Sequence, residues 1–421
     1  MIKTRALQGA LLLSMITFGC ATFEPHPVYA APDRESCDAA QHGVSPQSGD
    51  NTAAFKKMLT ECAGKAIRIA RGTYTFSPAG YDNGLYVQSG TSISGEGSDG
   101  DSGTVLRIAD TGNFASFFWI RDASNVSIHG IRFEGTGYES GCTKHLDYGH
   151  AITLSSSAGA RAPIETVEIT GNQFHDFNGQ SWITISAQDR SPGVGVRSEI
   201  AISKNAFVSD ANLRGGCAAT GGIGYPVFMV WLHGSDESGE GMIENVSISS
   251  NTFQADYVKG AVVAWSDTAR IVIQNNTIKN AGLRLPPAPQ TELGRYAITI
   301  YNSAHEKPGH WPDTITVVGN TIVDPVSAGV YVAGARNLEI SRNRISGQTD
   351  HFDGTLPKGA IALNHAENVR ALEGNELVNN YLGIALVATN APTQNNHVTP
   401  AAGGIRTKIW RDEHTAPEIQ K

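Results

Sequence analysis

Alternating apolar and polar residues recur along the chain in short strand-like runs, and most runs end in an Asn. Val167-Glu168-Ile169 leads to Asn172-Gln173-Phe174, and Ile200-Ala201-Ile202 leads to Asn205-Ala206-Phe207. The unit continues through Asn251, Asn276, Asn320, Asn343 and Asn375, with spacings of 33, 46, 25, 44, 23 and 32 residues. The shortest spacing suits one coil of three short strands, and the excess reads as loop. Such a unit cannot bury its apolar residues alone, so it predicts stacked coils sharing one core. An Asn repeated at the same turn can stack on its copies and bond the next coil's backbone, satisfying buried amides.

Ahead of the repeats, Gly49-Asp50-Asn51-Thr52-Ala53-Ala54-Phe55 opens a short amphipathic helix running to about Cys62. Asp50 or Thr52 can cap it, and Phe55, Met58 and Leu59 share one face. Gly-punctuated strands follow at Ala66–Ala70, Gly72–Phe76, Leu85–Val87 and Thr91–Gly97. A helix in this place would cover the open first coil.

The run from Gly49 through Gly72-Thr73-Tyr74 to Ser94-Gly95-Glu96-Gly97 resembles the N-terminus of the pectate-lyase-like β-helix superfamily. Most members carry two acids before the Thr, and here Asn51 replaces the second. The resemblance implies an all-β fold, a right-handed single-stranded parallel β-helix with a short N-terminal capping helix. The expected boundaries are 1–30 for a signal peptide, 31–100 for the cap helix and first coils, 101–390 for the β-helix and 391–421 for a tail. The superfamily includes lyases, hydrolases, epimerases, phage tailspikes and adhesins, so fold alone does not set activity.

The 32 basic and 40 acidic residues give a net charge of −8, with no Lys/Arg block. Nucleic acid and anionic membrane are therefore not expected partners. Met1–Arg5 is positively charged and Ala6–Phe18 is apolar but too short to span a bilayer. This reads as an export signal, cleaved after Val28-Tyr29-Ala30 or, in a lipobox-like reading, before a lipid-anchored Cys20. The expected location is the periplasm, the outer membrane as a lipoprotein, or the extracellular space. Cys37, Cys62, Cys142 and Cys217 then suggest two disulfides. Three pairings are open, of which Cys37–Cys62 with Cys142–Cys217 closes the shorter loops. No pair has zinc-ribbon spacing, so a thiolate metal site is not expected.

Each coil carries a strand after its Asn turn and loop, such as Trp182-Ile183-Thr184-Ile185, Met229-Val230-Trp231-Leu232 and Ala297-Ile298-Thr299-Ile300. Its second and fourth positions are apolar and predicted to point inward, leaving the others outward. The outward columns then hold Trp182, Trp231, Trp265, Tyr301 and Tyr331, an aromatic strip suited to sugar C–H faces. Lys259, Arg295 and Lys358 stand at one end of these strands. Asp189, Asp236 and Asp267 stand at the other, with His233, His305 and His310 near in register.

Two chemistries fit these residues. A hydrolase needs two carboxylates, which Asp189, Asp236 and Asp267 can supply from neighbouring coils. A uronate lyase or epimerase needs a base and a positive charge on the developing enolate, here Tyr301 or His305 with Lys259 and Arg295. Hydrolysis is placed ahead because three Asp line up without a basic surplus. No cofactor is required, though the Asp cluster also suits Ca²⁺. Gly404-Ile405-Arg406-Thr407-Lys408 resembles a polygalacturonase strand, but that family's N-T-D, D-D and G-H-G companions are missing. The expected partner is an extracellular or cell-envelope polysaccharide. The non-enzymatic alternative is a glycan-binding adhesin or surface solenoid.

Overall fold

A computed structural model describes residues 34–77, 84–109, 116–135, 149–155, 163–177, 181–187, 199–209, 228–234, 242–284, 295–302, 310–349, 358–402 and 409–411. From Glu35 the chain forms one compact unit. Each full coil contributes three parallel strands. In one coil these are Ser181–Ser186, Ile200–Ser203 and Ala206–Val208, and in the next Phe228–His233, Ile243–Ser249 and Thr252–Gln254. Strands of one column pair only with their counterparts one coil away, always parallel. The third column forms an 11-stranded sheet, while the first two join in a 21-stranded sheet. The join follows from Ala328–Ser341, which runs through both columns without a break.

The apolar half of each strand faces a common interior. There Phe133, Phe174, Phe207 and Phe253 stack with centroids 5.0, 4.9 and 4.6 Å apart, which matches a coil rise of about 4.8 Å. Ile278, Ile322, Ile345 and Leu377 continue the same row at full burial.

The predicted Asn turn is a continuous buried ladder. Asn205 Oδ1 accepts from the Asn172 amide at 2.9 Å and from Asn172 Nδ2 at 3.2 Å, while Asn172 Nδ2 also donates to the Ile128 carbonyl. The same pattern repeats from Asn205 to Asn251, Asn276, Asn320, Asn343 and Asn375. It then extends one rung further, to Asn396. The residue before each rung bends the chain in the left-handed region, with Gly171 at φ 64°, Lys204 at 55° and Arg342 at 55°.

Asn396 corrects the expected C-terminal boundary. His397–Pro400 pairs with Glu376–Asn380, and Ile409–Arg411 pairs with Ile384–Val387, so strands of the solenoid continue beyond residue 390. The expected signal at 1–30 with Cys20, and the Cys142 and Cys217 pair, lie outside the described residues. No described helix is long and apolar enough to cross a membrane.

The N-terminal helix spans Thr52–Glu61 and buries Phe55, Met58 and Leu59, as the periodicity predicts. Phe55 meets Phe76 and Phe118 at 5.3 and 5.9 Å, closing the interior of the first coils. The Asp50 carboxylate accepts from the Thr52 amide and hydroxyl and from the Ser77 amide. Burial raises its carboxyl, but these bonds outweigh that and hold it below the ordinary value. Asn51 is fully buried and accepts from the Ser45 amide. Cys37 and Cys62 form a disulfide between the first strand and the end of the helix.

Candidate functional site

The first-column strands carry the outer face on which the sequence placed the site. Their alternation begins one residue later than the sequence suggests. Trp182 and Ile183 both belong to the core, as do Met229 with Val230 and Ala297 with Ile298. The strand enters from a corner, so its first apolar residue still points into the interior and only afterwards do side chains alternate. Trp182 is 0% exposed and packs on Phe177 and Phe207. It is a core residue, not a sugar platform.

The remaining aromatics do lie on the outer face, in two clusters separate from the main core. Phe228, Trp231 and Val263 form one, with Trp265 against them. Tyr296, Tyr331 and small residues of the next coils form the other, with Tyr301 against them. Trp231 is 6% exposed and Tyr331 3%, whereas His233, Trp265 and Tyr301 are half-buried. The rings touch in sequence: His233 stacks on Trp231 at 4.3 Å, Trp231 meets Trp265 at 5.9 Å, and Trp265 meets Tyr301 edge-on at 5.0 Å. Tyr331 stacks on Tyr296 at 4.2 Å. Burial, with a further push from Tyr301, raises the Tyr331 hydroxyl to about 12, although a hydrogen bond with Asn364 works the other way.

Polar atoms on this face are left without partners. Trp119, Thr153, Trp231 and Thr299 all occupy the outward middle position of a first-column strand. Trp119 Nε1, Thr153 Oγ1, Trp231 Nε1 and Thr299 Oγ1 are all buried with no hydrogen-bond partner. Each such atom costs about 1–3 kcal/mol. The sequence reading missed the N-terminal end of this row, where the Arg121 guanidinium lies 4.4 Å from the Trp119 ring centroid. It also missed His150, whose Nδ1 is 2.6 Å from the Ser181 carbonyl.

Asp267 stands just past the end of its strand, two residues after Trp265. Its carboxylate meets His310 Nδ1, with Oδ2 at 2.9 Å and Oδ1 at 3.1 Å. Its amide donates to the His310 carbonyl, which also accepts from Asn302 Nδ2 at 2.8 Å. His310 is thus held at both ring and backbone beside the aromatic cluster. One sequence signal could have found the pair: the coil from Asn276 to Asn320 is 44 residues long, which sets Asp267 opposite about residue 311. Asp189, Asp236 and His305 lie outside the described residues.

Lys259, Arg295 and Lys358 share one column immediately ahead of their strands, and Arg295 donates to the Gly282 carbonyl at 3.2 Å. A six-residue strand then separates this column from Asp267, a span of about 20 Å. Tyr301, one of the two bases expected to act with Lys259 and Arg295, closes the strand at its far end, and the other, His305, lies outside the described residues.

A family model described as the right-handed beta helix region matches residues 230–409. The chain is a right-handed parallel β-helix. Among solved structures, this β-helix is similar to the A-module of mannuronan C-5 epimerase AlgE4 of Azotobacter vinelandii. The two are 13% identical, with a TM-score of 0.51, over 91% of this chain and 99% of that one. It is also similar to PfbA, a surface adhesin of Streptococcus pneumoniae, at 12% identity and TM-score 0.56, over 89% and 93% of the two chains. A third similarity is to the tailspike of E. coli bacteriophage HK620 in complex with a pentasaccharide, at 13% identity and TM-score 0.53. That match covers 88% of this chain and 63% of the tailspike. No curated protein matches the chain in sequence.

Proposed function

We propose that this β-helix is an exported polysaccharide-cleaving enzyme that binds its substrate on the outer face and moves a proton through His310. The observation that carries the reading is the Asp267–His310 pair beside the Trp231–Trp265–Tyr301 cluster. A carboxylate on Nδ1 fixes the ring and supports a proton on it, leaving Nε2 to take or give a proton at substrate. Sugar rings pack on the half-buried faces of Trp265 and Tyr301. Relatives in fold that carry a mannuronan epimerase or a bound pentasaccharide agree with a carbohydrate substrate.

In this reading Asp267 orients His310 and is not a free nucleophile. Hydrolysis by a carboxylate pair would draw on Asp189 and Asp236, whereas β-elimination would use His310 itself as the base. A Ca²⁺ held by the Asp cluster is an alternative to that carboxylate pair and belongs with elimination. A second reading, a glycan-binding adhesin, is favoured by the burial of Trp231 and Tyr331 within packed clusters.

The test is a panel of neutral and uronate polysaccharides, followed by both reducing ends and the ultraviolet absorbance of unsaturated uronate. Reducing ends alone mean hydrolysis, and absorbance means elimination. Turnover unchanged in His310→Gln sinks the role given to His310. Binding without any turnover leaves the adhesin.

A further inference from the structure

The N-terminal cap gathers a second set of reactive side chains, remote in sequence from the outer-face site. Cys37 lies in the strand Ser36–Asp38, His42 ends the 3-10 turn Ala39–His42, and Cys62 follows the helix Thr52–Glu61. His42 Nε2 is 3.3 Å from Cys37 Sγ and 3.4 Å from Cys62 Sγ. Its other nitrogen, Nδ1, is 2.8 Å from Glu61 Oε2. The carboxylate thereby turns Nε2 toward both sulfurs. All three donor atoms lie within 4.8 Å of one another, with both cysteines buried and His42 half-buried.

A disulfide needs no imidazole aimed at its two sulfurs, nor a carboxylate behind that imidazole. The same arrangement is what a thiolate–imidazole metal site requires: soft donors in front, and a carboxylate holding the ring from behind. We propose that Cys37, Cys62 and His42 form a redox-gated site for Zn²⁺ or a similarly thiophilic divalent ion, closed by the disulfide and opened by its reduction. A small thiol supplies the electrons. The S–S bond takes up two electrons and two protons, giving two cysteine thiols, while two thiol molecules become their own disulfide. Metal binding then releases both protons, leaving two thiolates and the neutral Nε2 as ligands.

The geometry is nearly in place. Zinc bonds of about 2.3 Å to sulfur and about 2.0 Å to nitrogen, at tetrahedral angles, set N and S about 3.5 Å apart. The distances of 3.3 and 3.4 Å already approach this. Only the sulfurs must part, to about 3.8 Å. Three protein ligands leave the fourth position to water. The cap strand, the 3-10 turn and the helix then stay tied together in either redox state.

The experiment uses the full chain carrying Cys20→Ser, Cys142→Ser and Cys217→Ser, so that only the two cap cysteines remain. Oxidised and thiol-reduced forms, freed of reductant under nitrogen, are titrated with Zn²⁺ by calorimetry and with Co²⁺ for the thiolate-to-metal absorption band. The reduced chain is expected to bind one ion and the oxidised chain none. Glu61→Gln should weaken binding about tenfold or more. His42→Gln should weaken it further, with recovery in His42→Cys, which returns a donor to the same place. No binding by the reduced chain, equal binding by both forms, or unchanged affinity in His42→Gln overturns the proposal.

Discussion

His310 Nδ1 stands 2.9 Å from Asp267 Oδ2 although the two residues are 43 apart in sequence. The intervening coil returns the chain beside Asp267, whose amide donates to the His310 carbonyl. The pairing fixes which ring nitrogen faces outward. Loss of a positioned acid–base group costs about 10²–10⁴ in rate. His310→Gln is expected to fall in that range, and Asp267→Asn to lower kcat more than it raises KM. Equal losses of binding and turnover in Asp267→Asn would show a structural role only.

Trp182 and Trp265 should separate fold from recognition. Trp182→Ala empties a fully buried site and should cost about 3–5 kcal/mol, read as a lowered melting temperature. Trp265→Ala removes a half-buried ring of the outer cluster and should weaken polysaccharide binding with a smaller stability change. Calorimetric melting and affinity electrophoresis on glycan gels measure the two effects side by side.

The middle of the ladder should be its most sensitive part. Asn276 accepts from the Asn251 amide and side chain and donates to the Ile248 carbonyl and to Asn320 Oδ1. Asn276→Ala leaves the buried Asn251 amide without its acceptor, at about 1–3 kcal/mol for that group alone. Asn396→Ala, at the half-buried last rung, should cost less. Thermal melts of the two variants give the comparison.

Two titrations bound stability in pH. Burial raises the Asp313 carboxyl, but hydrogen bonds from Asn337, Thr314 and Arg336, together with the Arg336 charge, outweigh it and hold the group below its usual value. The folded protein then binds fewer protons than the unfolded chain. Its contribution is fully present above about pH 4 and is lost as pH falls through the depressed folded value. The Arg336 side chain is 41% exposed, so solvent screening keeps the effect to about 1 kcal/mol or less. Arg336→Gln should flatten the acid limb of a melting-temperature profile.

Tyr331 works in the opposite sense. Its hydroxyl is raised to about 12, so its contribution holds below the unfolded value of about 10 and is lost as pH rises through the folded one. Tyr74 is also raised, by burial and by Glu96 and Asp38, so an ultraviolet titration should show a late-ionising fraction that Tyr331→Phe reduces. A titration in which all tyrosines ionise together would contradict the packing described.

The fold was legible because Asn172 through Asn375 recur beside apolar pairs, and both the core and the ladder depend on that recurrence. The extra rung at Asn396 escaped notice because the strand after it, His397-Val398-Thr399-Pro400, offers one apolar residue between polar ones. Trp182 was misplaced because strict alternation fails at a corner, where two consecutive residues enter the core. His310 stood near the site in register, but its partner depends on coil length, which a loop insertion obscures. His42 gave no signal beside Cys37 and Cys62, since their closeness arises from a turn and a helix folding over the first coil.

The Asn ladder gives the solenoid an electrical sense as well as a mechanical one. Each rung's Oδ1 accepts from the coil before it, so the side-chain dipoles from Asn172 to Asn396 point the same way. An amide carries about 3.5 D, and such units in line add rather than cancel. The interior therefore holds a polar axis, with its partial negative end toward the N-terminal coils. Each bond polarises the next, so that cutting one rung weakens rungs it does not touch.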